Sequence, residues 1–149
     1  MSKEDELQIR RRNLPHWRLK GSAYFVTWRL RRDQARLKPD ERELVSSIIK
    51  FNHNKRYQLY AYAVMDDHVH VALRPFPDDD LDKIIHTWKS YSANQLQRKF
   101  GRKGGVWVVE PWDRIIRDEA ELYEKCQYIL NNPFKRWPEL RDYPWAGWE

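Results

Sequence analysis

Two runs of aromatic and β-branched residues, Tyr57 to Met65 (YQLYAYAVM) and His68 to Arg74 (HVHVALR), are separated only by Asp66-Asp67. Strands joined by a two-residue turn run antiparallel side by side, so this stretch predicts a β-hairpin within an antiparallel sheet. Side chains alternate between the two faces of a strand. Val69, Val71 and Leu73 therefore point to one face, the core, while His68, His70, Ala72 and Arg74 point to the other. Two imidazoles two residues apart on that second face can share one divalent cation through neutral ring nitrogens. A His-x-His pair alone is equally compatible with two exposed histidines that have no task.

The rest of the chain reads as elements packed around that hairpin. Tyr24 to Leu30 (YFVTWRL) predicts a strand after Gly21. Lys38-Pro39-Asp40-Glu41 opens a helix on which Leu44, Val45, Ile48 and Ile49 recur at helical spacing, fading near Asn52 to Asn54. A long helix is predicted from Leu81 to Phe100, ended by Gly101, with Trp88 and Tyr91 on its core side. Val106 to Glu110 predicts a short strand, and Glu119 to Asn131 a last helix stopped by Pro133. The order β-α-β-β-α-β-α predicts an α+β, ferredoxin-like (RRM-like) antiparallel sheet with helices on one face, the other face being open to a ligand. Three segments follow: a basic arm at 1–20, a domain at 21–132, and an irregular Trp- and Pro-rich tail at 133–149 that packs back on it.

The last helix carries an apolar stripe of Leu122, Cys126, Ile129 and Leu130. At about 100° per residue Tyr128 falls away from that stripe, and Asn132 follows one turn later on the same side. Burial therefore does not account for Tyr128. A phenol next to a bound cation is a competent nucleophile toward a phosphodiester. A tyrosine resting at a helix edge would look the same in sequence.

Charge adds a partner class. The 149 residues hold 28 Lys and Arg against 22 Asp and Glu, a net charge of +6, with eight Trp and eight Tyr. Cations neutralise phosphates and rings stack on bases, so nucleic acid is the indicated partner. Candidate contacts are Arg10, Arg11, Arg12 and Arg18 in the arm, Arg29, Arg31 and Arg32 at the end of the first strand, and Lys89, Arg98, Lys99, Arg102 and Lys103 around the long helix. Trp107 and Trp112 could be core or stacking platforms. A single cysteine, Cys126, excludes an internal disulfide framework and a multi-Cys zinc site. No apolar run approaches the ~20 residues of a membrane span, and the expected location is cytoplasmic.

The ordered set of short motifs resembles a known family. Tyr62-Ala63-Val64-Met65 before His68-Val69-His70, then Asp113 to Glu119 (DRIIRDE), then Tyr128 to Pro133 (YILNNP), is similar to the single-tyrosine HUH transposases. Leu14 to Trp17 (LPHW) and Tyr24 to Leu30 make it similar, more narrowly, to the REP-associated tyrosine transposases. The resemblance implies a single-strand DNA endonuclease and strand transferase acting near palindromic hairpins. It implies that His68 and His70 bind Mg²⁺ or Mn²⁺ and that Tyr128 forms a 5′-phosphotyrosine. Relatives often have Gln one turn after the tyrosine as third ligand; Asn132 stands there. Whether Tyr128 serves its own subunit or a partner's, as a monomer or a homodimer, is left open. The competing classes are a replication initiator or relaxase-like nickase with the same chemistry, and a single-stranded nucleic-acid-binding module without catalysis.

Overall fold

The computed structural model describes residues 7–10, 16–19 and 21–148. In chain order the elements are β1 (Leu7–Arg10), β2 (His16–Leu19), β3 (Ala23–Arg29), α1 (Pro39–Phe51), β4 (Tyr57–Val64), β5 (His68–Pro75), α2 (Leu81–Phe100), β6 (Trp112–Ile116), α3 (Glu119–Arg136) and β7 (Ala146–Trp148). The β1–β2 pair is antiparallel and falls inside the segment read as an arm. The Tyr24 hydroxyl closes its end onto β3, accepting from Leu19 N–H at 2.8 Å and donating to Leu19 O at 2.9 Å.

The main sheet has the order β6-β3-β5-β4-β7 with every neighbour antiparallel. Asp66 and Asp67 form the predicted tight turn, which Met65 N–H closes on His68 O at 2.8 Å. On one face Val26, Trp28, Val69, Val71 and Leu73 pack against Ile49 of α1 and Ile84 and Trp88 of α2. Trp28 stacks on Trp88 at 5.5 Å. On the other face Ala23, Phe25, Ala61, Ala63, Ala72 and Ile116 surround Ile129 of α3. Alanines at these positions give the helix room to lie close to the sheet.

The α+β, ferredoxin-like antiparallel class holds, with one correction. Helices α1 and α2 share a face, whereas α3 crosses the opposite one. The first face is already filled, and the stripe of Leu122, Cys126, Ile129 and Leu130 finds apolar surface only on the second.

Four smaller expectations are also corrected. Val106 to Glu110 is a loop, and the strand is Trp112–Ile116. Val106 and Trp107 are buried under α2, where the Trp107 indole N–H donates to Ser92 Oγ at 2.9 Å, and the segment meets the end of β3 through a single antiparallel Leu30–Trp107 bridge, with Arg31 N–H donating to Val106 O at 2.9 Å and Val108 N–H to Arg29 O at 2.8 Å. Pro133 does not stop α3, which runs on to Arg136. Its ring is buried against the domain, and the Trp137 N–H closes the last turn on Pro133 O at 2.8 Å, contacts that offset the lost helix hydrogen bond. Tyr91 is 52% exposed, unlike its buried neighbour Trp88. The tail is not wholly irregular: β7 pairs with β4, and the buried Tyr143 hydroxyl donates to Val64 O at 2.6 Å.

Candidate active site

Strand register fixes the floor of the site. Cross-strand partners share a face of the sheet, and Trp112 of β6, Thr27 of β3, His70 of β5 and Ala63 of β4 form one continuous row. The next row toward the Asp66-Asp67 turn pairs Arg29 with His68. The two imidazoles are thus adjacent on the α3 face, their centroids 4.6 Å apart.

Each imidazole is fixed through Nδ1. His70 Nδ1 lies 2.7 Å from Thr27 Oγ1, both groups being buried. His68 Nδ1 lies 2.6 Å from Asp67 Oδ1, and because a carboxylate only accepts, that nitrogen carries the hydrogen. A partner at Nδ1 leaves Nε2 as the nitrogen able to coordinate a cation. Burial, followed by repulsion from a protonated His68 and from Arg29, pushes His70 down to about 3, so it is neutral at ordinary pH. Burial alone would raise the Asp67 carboxyl, but its hydrogen bond and charge interaction with His68, with Arg36 and Arg136 beside it, hold it well below the usual carboxylate range.

Helix α3 brings in Tyr128. Its ring centroid is 5.6 Å from that of His70 and 5.9 Å from that of Phe25, and the residue is 45% exposed while the adjacent Ile129 is fully buried. Capping begins the helix, with Asp118 accepting from Glu121 N–H at 2.8 Å. Arg114 of β6 meets Glu121 at 3.1 Å. At the other end Arg136 reaches Asp66 at 3.0 Å and Asp67 at 3.4 Å, the turn that holds His68. Tyr128, Asn132 and Arg136 succeed one another at four-residue spacing on one side of the helix. Asn132, half-buried, therefore occupies the turn between the residue above His70 and the residue tied to the His68 turn.

The donor set fits a divalent cation. Two oriented imidazoles supply nitrogen, while among the described residues no group of three His, Cys, Asp or Glu side chains could complete a site. Remaining positions would fall to neutral oxygens, for which the Asn132 amide is the sequence-predicted donor, and to phosphate or water. Imidazole nitrogens suit Mn²⁺ better than Mg²⁺, which prefers oxygen.

A cavity of about 530 Å³ opens beside this cluster, reaching from Tyr128 and His70 to Arg29, Trp112 and Lys125. A second depression of about 500 Å³ shares Arg29 and adds Arg31, Arg32 and Arg36. Arg29 thus borders the imidazole pair, while in the neighbouring depression Arg31 is paired with Asp33 at 3.1 Å and Arg36 with Asp67. The cations around α2 do not join them. Lys89 Nζ is held by Val108 O at 2.8 Å and Val109 O at 2.6 Å. Arg102 is buried in an ion pair with Glu41 and also donates to Gln34 Oε1 at 3.1 Å. Arg98, Lys99 and Lys103 are exposed at the end of the helix on the opposite layer. Arg10 and Arg18 fall on β1 and β2; Arg11 and Arg12 lie outside the described residues. Sequence reasoning missed Thr27, Lys125 and Arg136. Thr27 was discoverable, since it alternates with Ala23 and Phe25 on the histidine face.

Comparison with known proteins points the same way. Residues 19–130 match the family model described as "Transposase IS200 like". A REP-associated tyrosine transposase of Escherichia coli (strain K12) is 26% identical over 131 residues, covering 86% of this chain and 77% of that protein. The solved structure of a REP-associated tyrosine transposase bound to a REP hairpin superposes with a TM-score of 0.69 at 24% identity. It covers 93% of this chain and 81% of its own, a likeness of fold.

Proposed function

The chain belongs to the IS200-like transposase family, and from that membership we propose that it cuts and rejoins single-stranded DNA beside hairpin-forming repeats, using Tyr128 of its own chain as nucleophile. The observation that carries this is the half-exposed Tyr128 ring set 5.6 Å from the buried His70 ring on a common cavity. A structural tyrosine would not need an approach from solvent, and a pure binding surface would not need two imidazoles each held through Nδ1.

Tyr128 Oη forms a bond to the scissile phosphorus, and the bond from phosphorus to O3′ breaks. The departing oxygen takes up a proton to become a free 3′-OH, and the phenolic proton passes to solvent on the exposed side of the ring. One phosphodiester is kept for each one broken, so attack by a 3′-OH on the 5′-phosphotyrosine rejoins strands without nucleotide hydrolysis. A divalent cation, Mn²⁺ or Mg²⁺, bound by Nε2 of His68 and His70 with the Asn132 amide oxygen as third ligand, would withdraw charge from the phosphate during this exchange. Thr27 and Asp67 hold the two rings, and Arg136 holds the end of α3 against the His68 turn. Arg29, Arg31 and Arg32 neutralise phosphates of the incoming strand. A hairpin partner is supported by the likeness to the hairpin-bound relative.

The test is the polarity of the cut. Hairpin-bearing single-stranded oligonucleotides incubated with the protein and Mn²⁺ should yield a fragment whose 3′ end a polymerase extends, while the other fragment's 5′ end resists kinase labelling. Products bearing 3′-phosphates would contradict the reading.

A further inference from the structure

Two residues on the cavity beside Tyr128 have no part in the chemistry above. Trp112 opens β6, the edge strand of the main sheet, and is 45% exposed. It lies in the same row as Thr27 and His70, two strand spacings or about 10 Å from the latter. Among the described residues its ring contact is a perpendicular one with Phe25 at 5.6 Å, not a face-to-face stack. Lys125 stands on α3, one turn before Tyr128, and its ammonium lies 5.6 Å from the Phe25 ring centroid. An indole, an ammonium and the Tyr128 phenol therefore line one cavity around the Phe25 ring, which each of them approaches.

Trp112 and Tyr128 both present half-exposed rings to this one cavity, with Lys125 beside them. What this arrangement suits is one nucleotide unit, a flat base with an anionic phosphate attached. Resting on the proposed nicking reaction, we propose that Trp112 and Lys125 form a subsite for the nucleotide directly joined to the scissile phosphate, its base stacked on the indole and its phosphate paired with the ammonium. Stacking tolerates any base, so the subsite positions the strand for attack without reading sequence. Recognition of the hairpin itself lies elsewhere.

Trp112→Ala and Trp112→Phe would be assayed with hairpin substrates carrying an abasic residue on one or the other side of the cleavage site. On the intact substrate Trp112→Ala should cleave about tenfold more slowly at subsaturating DNA, and Trp112→Phe should recover most of the loss. On the substrate lacking the stacked base, wild type and Trp112→Ala should cleave equally slowly. If the alanine variant loses the same factor on every substrate, or loses nothing, the stacking role is overturned. Lys125→Gln should lower the slope of log binding constant against log salt by about 0.7, the loss of one single-strand phosphate contact; an unchanged slope would remove Lys125 from the subsite. Tyrosine-linked DNA formed by wild type is read in the same reactions, so failure of the nicking chemistry is distinguishable from failure of the subsite.

Discussion

Thr27 Oγ1 and His70 Nδ1 lie 2.7 Å apart in the sheet interior, on neighbouring strands that pair these two residues directly. The hydroxyl holds the plane of the imidazole, which is how outer partners of metal-binding histidines sustain affinity. Thr27→Val keeps the shape and removes the contact. It should raise the Mn²⁺ concentration for half-maximal nicking about 10- to 100-fold, with activity recovering at saturating metal and in Thr27→Ser. An unchanged Mn²⁺ titration would show that Thr27 only fills space.

Asn132 follows the same logic. Asn132→Ala should weaken metal use without altering hairpin affinity, as measured by Mn²⁺ titration and gel shift in parallel. Equal metal dependence in the variant would leave His68 and His70 as the only protein ligands.

Arg102 belongs to stability, not to DNA. It pairs with Glu41, of which only 3% is exposed, and removing one partner of a buried pair costs about 3–5 kcal/mol. Arg102→Ala should therefore lower the urea midpoint sharply and leave the salt dependence of DNA binding untouched. Burial tends to raise the Glu41 carboxyl, but the Arg102 hydrogen bond and the Lys38 backbone N–H outweigh it and hold it below its ordinary 4.5. Because the folded value is depressed, this contribution is fully present above pH 4.5 and declines as pH falls through the folded value. Wild type should lose stability in that acid range more steeply than Glu41→Gln, as followed by denaturant titration at several pH values.

What the sequence made legible is what periodicity controls. Alternation in His68 to Arg74 placed both imidazoles on the face away from Val69, Val71 and Leu73, and the helical stripe around Ile129 left Tyr128 outside it. Pairing across distance was hidden. Nothing in Arg102 distinguishes it from Arg98 until α1 brings Glu41 against it, and Arg136 looks like a helix-end cation until the β4–β5 turn meets it. Trp107 and Trp112 share a composition and part ways by position, one under α2 and the other at a sheet edge. The Pro133 expectation failed because the local cost of a helical proline was weighed without the burial of its ring.

Tyr128 sits over the imidazole of its own chain, so catalysis should need no exchange of helices. Mixing Tyr128→Phe with His70→Ala should restore no nicking at any ratio or concentration. Recovery of activity in the mixture would mean that α3 serves a neighbouring subunit.

The most direct measurement is the covalent bond itself. Wild-type protein incubated with Mn²⁺ and a hairpin-bearing single strand, then digested and analysed by mass spectrometry, should yield a peptide with nucleotide attached at Tyr128. The adduct should disappear in Tyr128→Phe and in EDTA while hairpin binding by the variant persists. DNA attached to another residue, or cleavage by Tyr128→Phe at the wild-type rate, would contradict the account.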